Sequence, residues 1–280
     1  MTKPSFPLAG KKVVITRPEE SADELVQLLT DRKAVPWVLP LIRTKLWHDL
    51  TAVDQAIAHL DEYDGLLFTS GQAVHYFFKR LVALYAEAGE GAFEEDPRAV
   101  LKRKKVVAVG PKTASLLESY GIPFVHTPDE YRQEGLVQLV IHLFPPNSRL
   151  LYPRASKVRP LLLETLREKG YRLTDVILYQ TEFVNQEDSP YFQAILEREA
   201  DAVTFTSASA VKAFDRLFRQ RAHDLKKENL PPLAFIGPVA AKEAEKLGYP
   251  TPIVAQEYTV SGLVKALESY FAWQEGKTKA

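Results

Sequence analysis

Two segments of the sequence place hydroxyl side chains directly after a short apolar stretch. One runs Asp64-Gly-Leu-Leu-Phe-Thr-Ser-Gly-Gln-Ala-Val74 and the other Asp201-Ala-Val-Thr-Phe-Thr-Ser-Ala-Ser-Ala-Val211. Each pattern predicts a strand followed by a helix, whose first N–H groups are free and attract anions. The candidate anion-binding residues are Thr69, Ser70, Thr206, Ser207 and Ser209. Capping of the helix alone is the competing interpretation of these hydroxyls.

The two segments belong to a longer internal repeat. The spacing from Arg17 to Arg154 equals that from Ser70 to Ser207, and the spacing from Gly110 to Gly237 equals that from Tyr131 to Tyr258. The second spacing is shorter, so the first copy carries additional residues. We place them in the charged segment 87–105 and predict that this segment is an exposed excursion.

Strand and helix patterns alternate along both copies, with short turns between them. This alternation predicts an α/β protein with two parallel sheets. Ligands of such sheets bind at the carboxyl ends of the strands. Arg17, Gly110, Arg154 and Gly237 fall at these ends beside the hydroxyl residues, which leaves anion binding and capping as equal alternatives. Residues 274–280 are predicted to be a frayed tail.

The composition excludes several classes of function. Lys+Arg and Asp+Glu are equal at 36 each, so no overall field attracts nucleic acid or an anionic membrane. The chain has no cysteine, and its 6 histidines form no metal-ligand pattern. The Gly-Pro turns lack the spacing of nucleotide-binding loops. The N-terminus lacks a signal pattern, and no apolar run reaches transmembrane length. We therefore expect a cytoplasmic protein with no metal.

Several ordered motifs make the sequence resemble the uroporphyrinogen-III synthase family along nearly its whole length. They are ITRP at residues 15–18, FTS at 68–70 and 205–207, VGPKTA at 109–114, Tyr-x-x-Glu-Gly-Leu at 131–136, LYPR at 151–154, YQT at 179–181 and TSASAV at 206–211. The resemblance implies two flavodoxin-like lobes joined by a two-stranded linker, with a central cleft. One lobe would hold residues 1–39 and 185–280 and the other 47–178, with linker strands at 40–46 and 179–184.

The resemblance also implies an activity. The family closes the linear tetrapyrrole hydroxymethylbilane into uroporphyrinogen III, with loss of water and inversion of ring D, through a spiro intermediate and without a cofactor. No protein nucleophile is then needed, and the protein mainly holds the chain in the right geometry. Tyr179 is the candidate acid, and Lys112, Thr113, Tyr131, Pro238 and Tyr258 complete the expected binding set. We expect a monomer in transient contact with the preceding pathway enzyme.

The sequence departs from the family pattern at two places. Val239 and Ala240 stand where the second Gly-Pro turn often carries threonine, and Gln72 replaces a frequent asparagine. Two alternatives stay open, and the change at Val239 and Ala240 motivates the first of them. One is a catalytically silent module of the same fold that binds tetrapyrroles or other polyanions. The other is a two-lobed sugar-phosphate enzyme.

Overall fold

A computed structural model describes residues 6–88, 96–222 and 225–278. It confirms the predicted α/β class with two parallel-sheet units. Unit 1 contains Met1–Arg43 and Glu182–Ala280, and unit 2 contains Thr44–Thr181. Within the described ranges, no helix is both long and apolar enough to cross a membrane.

The strands and helices follow one another in the predicted alternation. The strands are β1 Lys12–Ile15, β2 Val35–Val38, β3 Ile42–Leu46, β4 Gly65–Phe68, β5 Lys105–Ala108, β6 Val125–His126, β7 Arg149–Ala155, β8 Arg172–Phe183, β9 Ala202–Phe205, β10 Leu233–Phe235 and β11 Ile253–Val254. The helices are α1 Asp23–Thr30, α2 Thr51–Ala58, α3 Gly71–Ala88, α4 Pro97–Arg103, α5 Pro111–Ser119, α6 Gln133–Leu143, α7 Leu161–Glu168, α8 Pro190–Leu196, α9 Ala208–Arg221, α10 Pro238–Lys246 and α11 Val260–Thr278.

The sheet of unit 1 is parallel, with strand order β11-β10-β9-β1-β2. Taken in chain order this is 2-1-3-4-5, the flavodoxin arrangement. Its central strands are apolar on both faces because helices cover both sides. Phe205, Phe214 and Phe235 form the core on one face, and Leu25 and Leu263 belong to the core on the other.

The sheet of unit 2 has the order β3-β8-β7-β4-β5-β6. Strands β8, β7, β4, β5 and β6 are parallel neighbours and match β2, β1, β9, β10 and β11 of the internal repeat. The flavodoxin arrangement is therefore present in both units, although unit 2 begins partway through it. In each unit the strand order reverses between two strands, β1 and β9 in one and β7 and β4 in the other.

Strand β3 is the sixth strand of this sheet, and it pairs with β8. The N–H of Trp47 donates to Leu178 O at 3.0 Å, and the N–H of Val184 donates to Leu41 O at 2.9 Å. Residue numbers increase along one segment while those of their partners decrease along the other, so β3 runs antiparallel to β8. Both segments pass from one unit into the other along the chain.

The repeated aspartate that opens each motif has a structural role. Asp201 Oδ2 accepts from the N–H of Lys12, and Asp64 Oδ2 accepts from the N–H of Arg149, each at 2.8 Å. Both bonds join the start of the hydroxyl-bearing strand to the start of the strand beside it. The aspartates thus fix the strand pair at which the order reverses, far along the strand from the hydroxyl ends.

Two sequence predictions about irregular segments are wrong. The predicted excursion contains helix α4, which Asp96 caps by accepting from the N–H of Arg98. Val100 and Leu101 on this helix are buried in the unit 2 core, so the basic residues around them conceal an amphipathic helix. Residues 89–95 of the same segment lie outside the described residues. The predicted frayed tail continues α11 as far as Thr278.

Candidate functional site

In unit 2, two tyrosines from neighbouring strands reach the end of β4. Tyr152 OH lies 3.0 Å from Thr69 Oγ1, and Tyr179 OH lies 2.9 Å from Ser70 Oγ. Ser70 Oγ also accepts from the N–H of Ala73 at 3.1 Å, which makes Ser70 a helix cap for α3. The strand order of unit 2 reverses between β4 and β7. Ligands bind open parallel sheets at the carboxyl ends of such a strand pair.

Burial controls the chemistry of both tyrosines. Tyr152 is fully buried and Tyr179 nearly so. Burial raises the pKa of Tyr152 and the pKa of Tyr179, although the hydrogen bonds that these hydroxyls share with Thr69 and Ser70 partly oppose the shift. Both side chains are therefore neutral hydroxyls at physiological pH. They can donate hydrogen bonds or a proton, and neither can act as a phenolate base.

In unit 1, the matching strand ends carry hydroxyls without tyrosines. Ser207 Oγ accepts from the N–H of Ala210 at 3.1 Å and caps α9, as Ser70 caps α3. Thr16 Oγ1 donates to Thr204 O at 2.7 Å, which ties β1 to β9 close to their carboxyl ends. Thr206 follows β9 and is half-buried, and Ser209 is exposed on the first turn of α9.

Arg17 follows β1 and is only half-exposed. Its Nη1 atom is buried and has no hydrogen-bond partner among the described residues. Burial lowers the pKa of Arg17, while the negative charge of Glu24 opposes that shift. A guanidinium that is desolvated but unsatisfied gains most from an incoming anion, because charge-assisted bonds replace the lost water.

Arg154 is the counterpart of Arg17 in the other copy of the internal repeat, but its surroundings differ. Its Nε and Nη2 lie 2.8 and 2.7 Å from Asp175 Oδ2, and its Nη1 donates to Ala155 O at 2.9 Å. Asp175 also pairs with Arg167. The guanidinium of Arg154 is thus used within unit 2, and binding by this residue stays a prediction.

The two Gly-Pro turns have the same construction. Gly110 and Gly237 are extended and cap α5 and α10, each of which begins with proline. Tyr131 and Tyr258 lie against them: a Cβ on Gly110 would stand 3.3 Å from Tyr131, and a Cβ on Gly237 only 3.0 Å from Tyr258. A side chain at either glycine would therefore displace the tyrosine ring by a few tenths of an ångström.

The side chains of these turns differ between units. Thr113 is buried at the start of α5, where Ala240 is its counterpart in α10. Lys112 is exposed, and its counterpart Val239 exposes 74% of its surface. Pro238 is half-buried. Tyr131 and Tyr258 are 64% and 67% exposed, so both offer a ring face and a hydroxyl beside a helix N-terminus.

Tyr152 is the site residue that sequence reasoning missed. It stands inside the LYPR motif, but nothing in the motif indicates a partner. The missing information was the register between β7 and β4, which brings Tyr152 beside Thr69 from a distant part of the chain. Among the described residues, no group of three His, Asp or Glu is placed to hold a metal ion.

Two flavodoxin-order units, each with hydroxyl groups where its strand order reverses, place the chain among the two-unit α/β proteins that the sequence predicted. The family described as "Uroporphyrinogen-III synthase HemD" matches residues 23–265, and the chain belongs to this family. The activity is that of a cyclising carbon–oxygen lyase of haem biosynthesis that acts without a cofactor on a tetrapyrrole.

Individual relatives agree along nearly the whole chain. A putative uroporphyrinogen-III synthase of Methanocaldococcus jannaschii is 28% identical over 92% of this chain and 98% of its own length. The uroporphyrinogen-III synthase of Synechococcus elongatus is 26% identical over 94% and 97%. A mutant uroporphyrinogen III synthase from the extremely thermophilic bacterium Thermus thermophilus has a similar fold, with a TM-score of 0.62, 20% identity and coverage of 95% and 100%.

Proposed function

We propose that the chain converts hydroxymethylbilane to uroporphyrinogen III, and that the strand-end donors of each unit bind the carboxylates of this substrate. The observation that carries the proposal is the repeated placement of hydroxyl groups where the strand order reverses, within a chain of this family. Such positions are the ligand sites of open parallel sheets.

Neutral donors suit an octacarboxylate in a protein with no net charge. Hydroxyl and backbone N–H groups donate hydrogen bonds to a carboxylate without creating a strong field that would attract unrelated anions. Arg17 adds a charged donor whose Nη1 is already removed from water. Tyr131 and Tyr258 add hydroxyls next to the helix N-termini of α5 and α10.

Tyr179 is the proposed donor to the departing hydroxyl. Because burial raises the pKa of Tyr179, its proton stays in place at neutral pH. The same shift makes it a weak acid, so it hydrogen-bonds to the leaving oxygen and gives up its proton only as the carbon–oxygen bond breaks. The leaving oxygen takes the phenolic proton as the carbon–oxygen bond breaks and departs as water, and the pyrrole N–H proton that the substrate then loses restores Tyr179. No protein nucleophile takes part.

A turnover assay tests this function against its rivals. The protein is supplied with fresh hydroxymethylbilane, and both substrate loss and binding of the stable product are measured. We expect substrate loss well above the spontaneous rate. Product binding without faster substrate loss would instead support the silent binding module. That alternative is suggested by the turn at Val239 and Ala240, which lacks a hydroxyl group. Stabilisation by sugar phosphates alone would support the third alternative.

The remaining proposals concern the protein's state in the cell. We expect a cytoplasmic monomer, because one chain supplies both sets of strand-end donors. Light scattering coupled to gel filtration measures the mass directly, and a dimer would contradict this expectation. Transient contact with the enzyme that supplies hydroxymethylbilane, and the absence of nucleic-acid and membrane partners, are further expectations of the same proposal.

A further inference from the structure

We propose that Tyr152 is a positioning residue, which orients the hydroxyl of Thr69 so that its proton points toward the substrate. The inference rests on the proposed function, since it assumes that Thr69 binds a substrate carboxylate. It assigns a role to a side chain that makes no substrate contact of its own.

The setting of Tyr152 leaves its hydroxyl few choices. Its ring is fully buried in the core that also contains Leu67, Leu150 and Leu162. Its hydroxyl lies 3.0 Å from Thr69 Oγ1, its hydrogen-bond partner among the described residues. Tyr179 approaches the same strand end from the opposite core, which contains Phe68 and Leu178. The consecutive residues that follow β4 are thus each bonded to a tyrosine from a different face of the sheet.

Either oxygen of the Tyr152–Thr69 pair can in principle be the donor. If Thr69 donated, the phenolic proton of Tyr152 would be left buried and unpaired, which is unfavourable. If Tyr152 donates, every donor is satisfied, because the half-buried Thr69 can direct its own proton away from the core. The favoured arrangement therefore has Tyr152 donating and Thr69 presenting its proton at the strand end.

Of the two copies of the repeat, only the one in unit 2 has a tyrosine at this position. The position that matches Tyr152 in unit 1 is Ile15, which is buried but has no hydroxyl. Thr206 is the counterpart of Thr69, so its hydroxyl orientation is not fixed by a tyrosine at the matching place. The two units hence offer donors of different rigidity, and a rigid donor loses less entropy when a ligand binds.

A double-mutant cycle tests the coupling. Tyr152→Phe removes one oxygen and keeps the ring, and we expect it to raise KM about fivefold with kcat within twofold, as expected for a lost ground-state hydrogen bond. Thr69→Val should raise KM by at least as much. In the Thr69→Val background, Tyr152→Phe should have no further effect on KM. Equal effects of Tyr152→Phe in both backgrounds would overturn the proposal.

Tyr171→Phe is the matched control. Tyr171 is buried in the same core and donates to Phe144 O at 2.9 Å. Its loss should lower thermal stability much as Tyr152→Phe does, yet leave KM unchanged. A KM increase in Tyr171→Phe equal to that in Tyr152→Phe would show that core loosening, and no orientation effect, explains both.

Thr69→Ser keeps the test decisive if Tyr152→Phe does not fold. Serine retains the hydroxyl that Tyr152 orients, so Thr69→Ser should raise KM less than Thr69→Val does. Similar KM values for both variants would overturn the proposal. Failure here is distinct from failure of the proposed function, since the latter would appear as a wild-type protein that does not consume hydroxymethylbilane.

Discussion

Tyr179 OH lies 2.9 Å from Ser70 Oγ, the same oxygen that accepts the N–H of Ala73 and caps α3. The proposed acid is therefore anchored to the start of a helix. Its ring also stacks on Tyr76, with centroids 5.5 Å apart. This anchoring fixes the hydroxyl in one place, as a proton donor to a departing group requires.

Tyr179→Phe should lower kcat about 100-fold, which is a typical contribution of a positioned acid. The affinity for uroporphyrinogen III should change little, because the product no longer carries the leaving hydroxyl. Steady-state kinetics and a product titration measure the two effects. Tyr76→Phe is the control, since it keeps the stacked ring and loses only the bond to Thr44. An unchanged kcat in Tyr179→Phe would remove Tyr179 from the mechanism.

Ser207→Asp separates helix capping from anion binding. Aspartate caps helices as well as serine does and suits the positive end of the dipole, so thermal stability should be retained. Its negative charge should repel a substrate carboxylate and raise KM at least tenfold. Ser207→Ala should instead lower stability by about 1 kcal/mol. If Ser207→Asp is as active as wild type, Ser207 is only a cap.

Gly262 and Gly276 lie on the same helix and should respond oppositely to alanine. A Cβ on Gly262 would overlap the carbonyl oxygen of Glu257, whereas nothing lies within 4 Å of a Cβ on Gly276. Gly262→Ala should therefore lower the free energy of unfolding by about 1–3 kcal/mol. Gly276→Ala should raise it by up to about 1 kcal/mol, because alanine favours helix. Urea unfolding of both variants checks the contrast, and equal stabilities would contradict it.

Alkaline pH should destabilise unit 1 through Tyr249. Burial raises the pKa of Tyr249, and the charge of Asp215, whose Oδ1 accepts from this hydroxyl at 3.0 Å, raises it further. Above about pH 10 the phenol ionises in the unfolded chain but keeps its proton in the folded one. The unfolded state then binds fewer protons, so stability falls as pH rises.

The contribution of Tyr249 is about 1.4 kcal/mol per pH unit above that point. Urea unfolding between about pH 9 and pH 11.5 should show a shallower decline for Tyr249→Phe than for wild type. The comparison uses slopes, because Tyr249→Phe also loses a hydrogen bond at neutral pH. Parallel slopes for the two proteins would contradict the assignment.

The sequence predicted the structure correctly where a local residue pattern has a single structural explanation. Buried strands such as β4 and β9 are apolar throughout, and hydroxyls after them indicate caps, so the two-sheet α/β class followed from pattern. The internal repeat matches Arg17 with Arg154. It does not show that Asp175 forms an ion pair with Arg154 and not with Arg17. That difference depends on the register between β7 and β8, which no local pattern encodes.

Other features lay beyond the sequence for similar reasons. The basic residues around α4 dominated its composition and hid the burial of Val100 and Leu101. Tyr152 meets Thr69 only through the pairing of β7 with β4. A buried polar contact between distant residues requires the register of the sheet, whereas a helix cap requires only its neighbours along the chain.

The isomer composition of the product is the most direct test of the proposed ring closure with inversion of ring D. Spontaneous closure of hydroxymethylbilane joins the ends without inversion and gives the type I isomer, so only a protein that holds the chain can give type III. Chromatography of the oxidised porphyrins from a short incubation should show mainly type III with wild-type protein. Type I alone, formed at the rate seen without protein, would contradict the account.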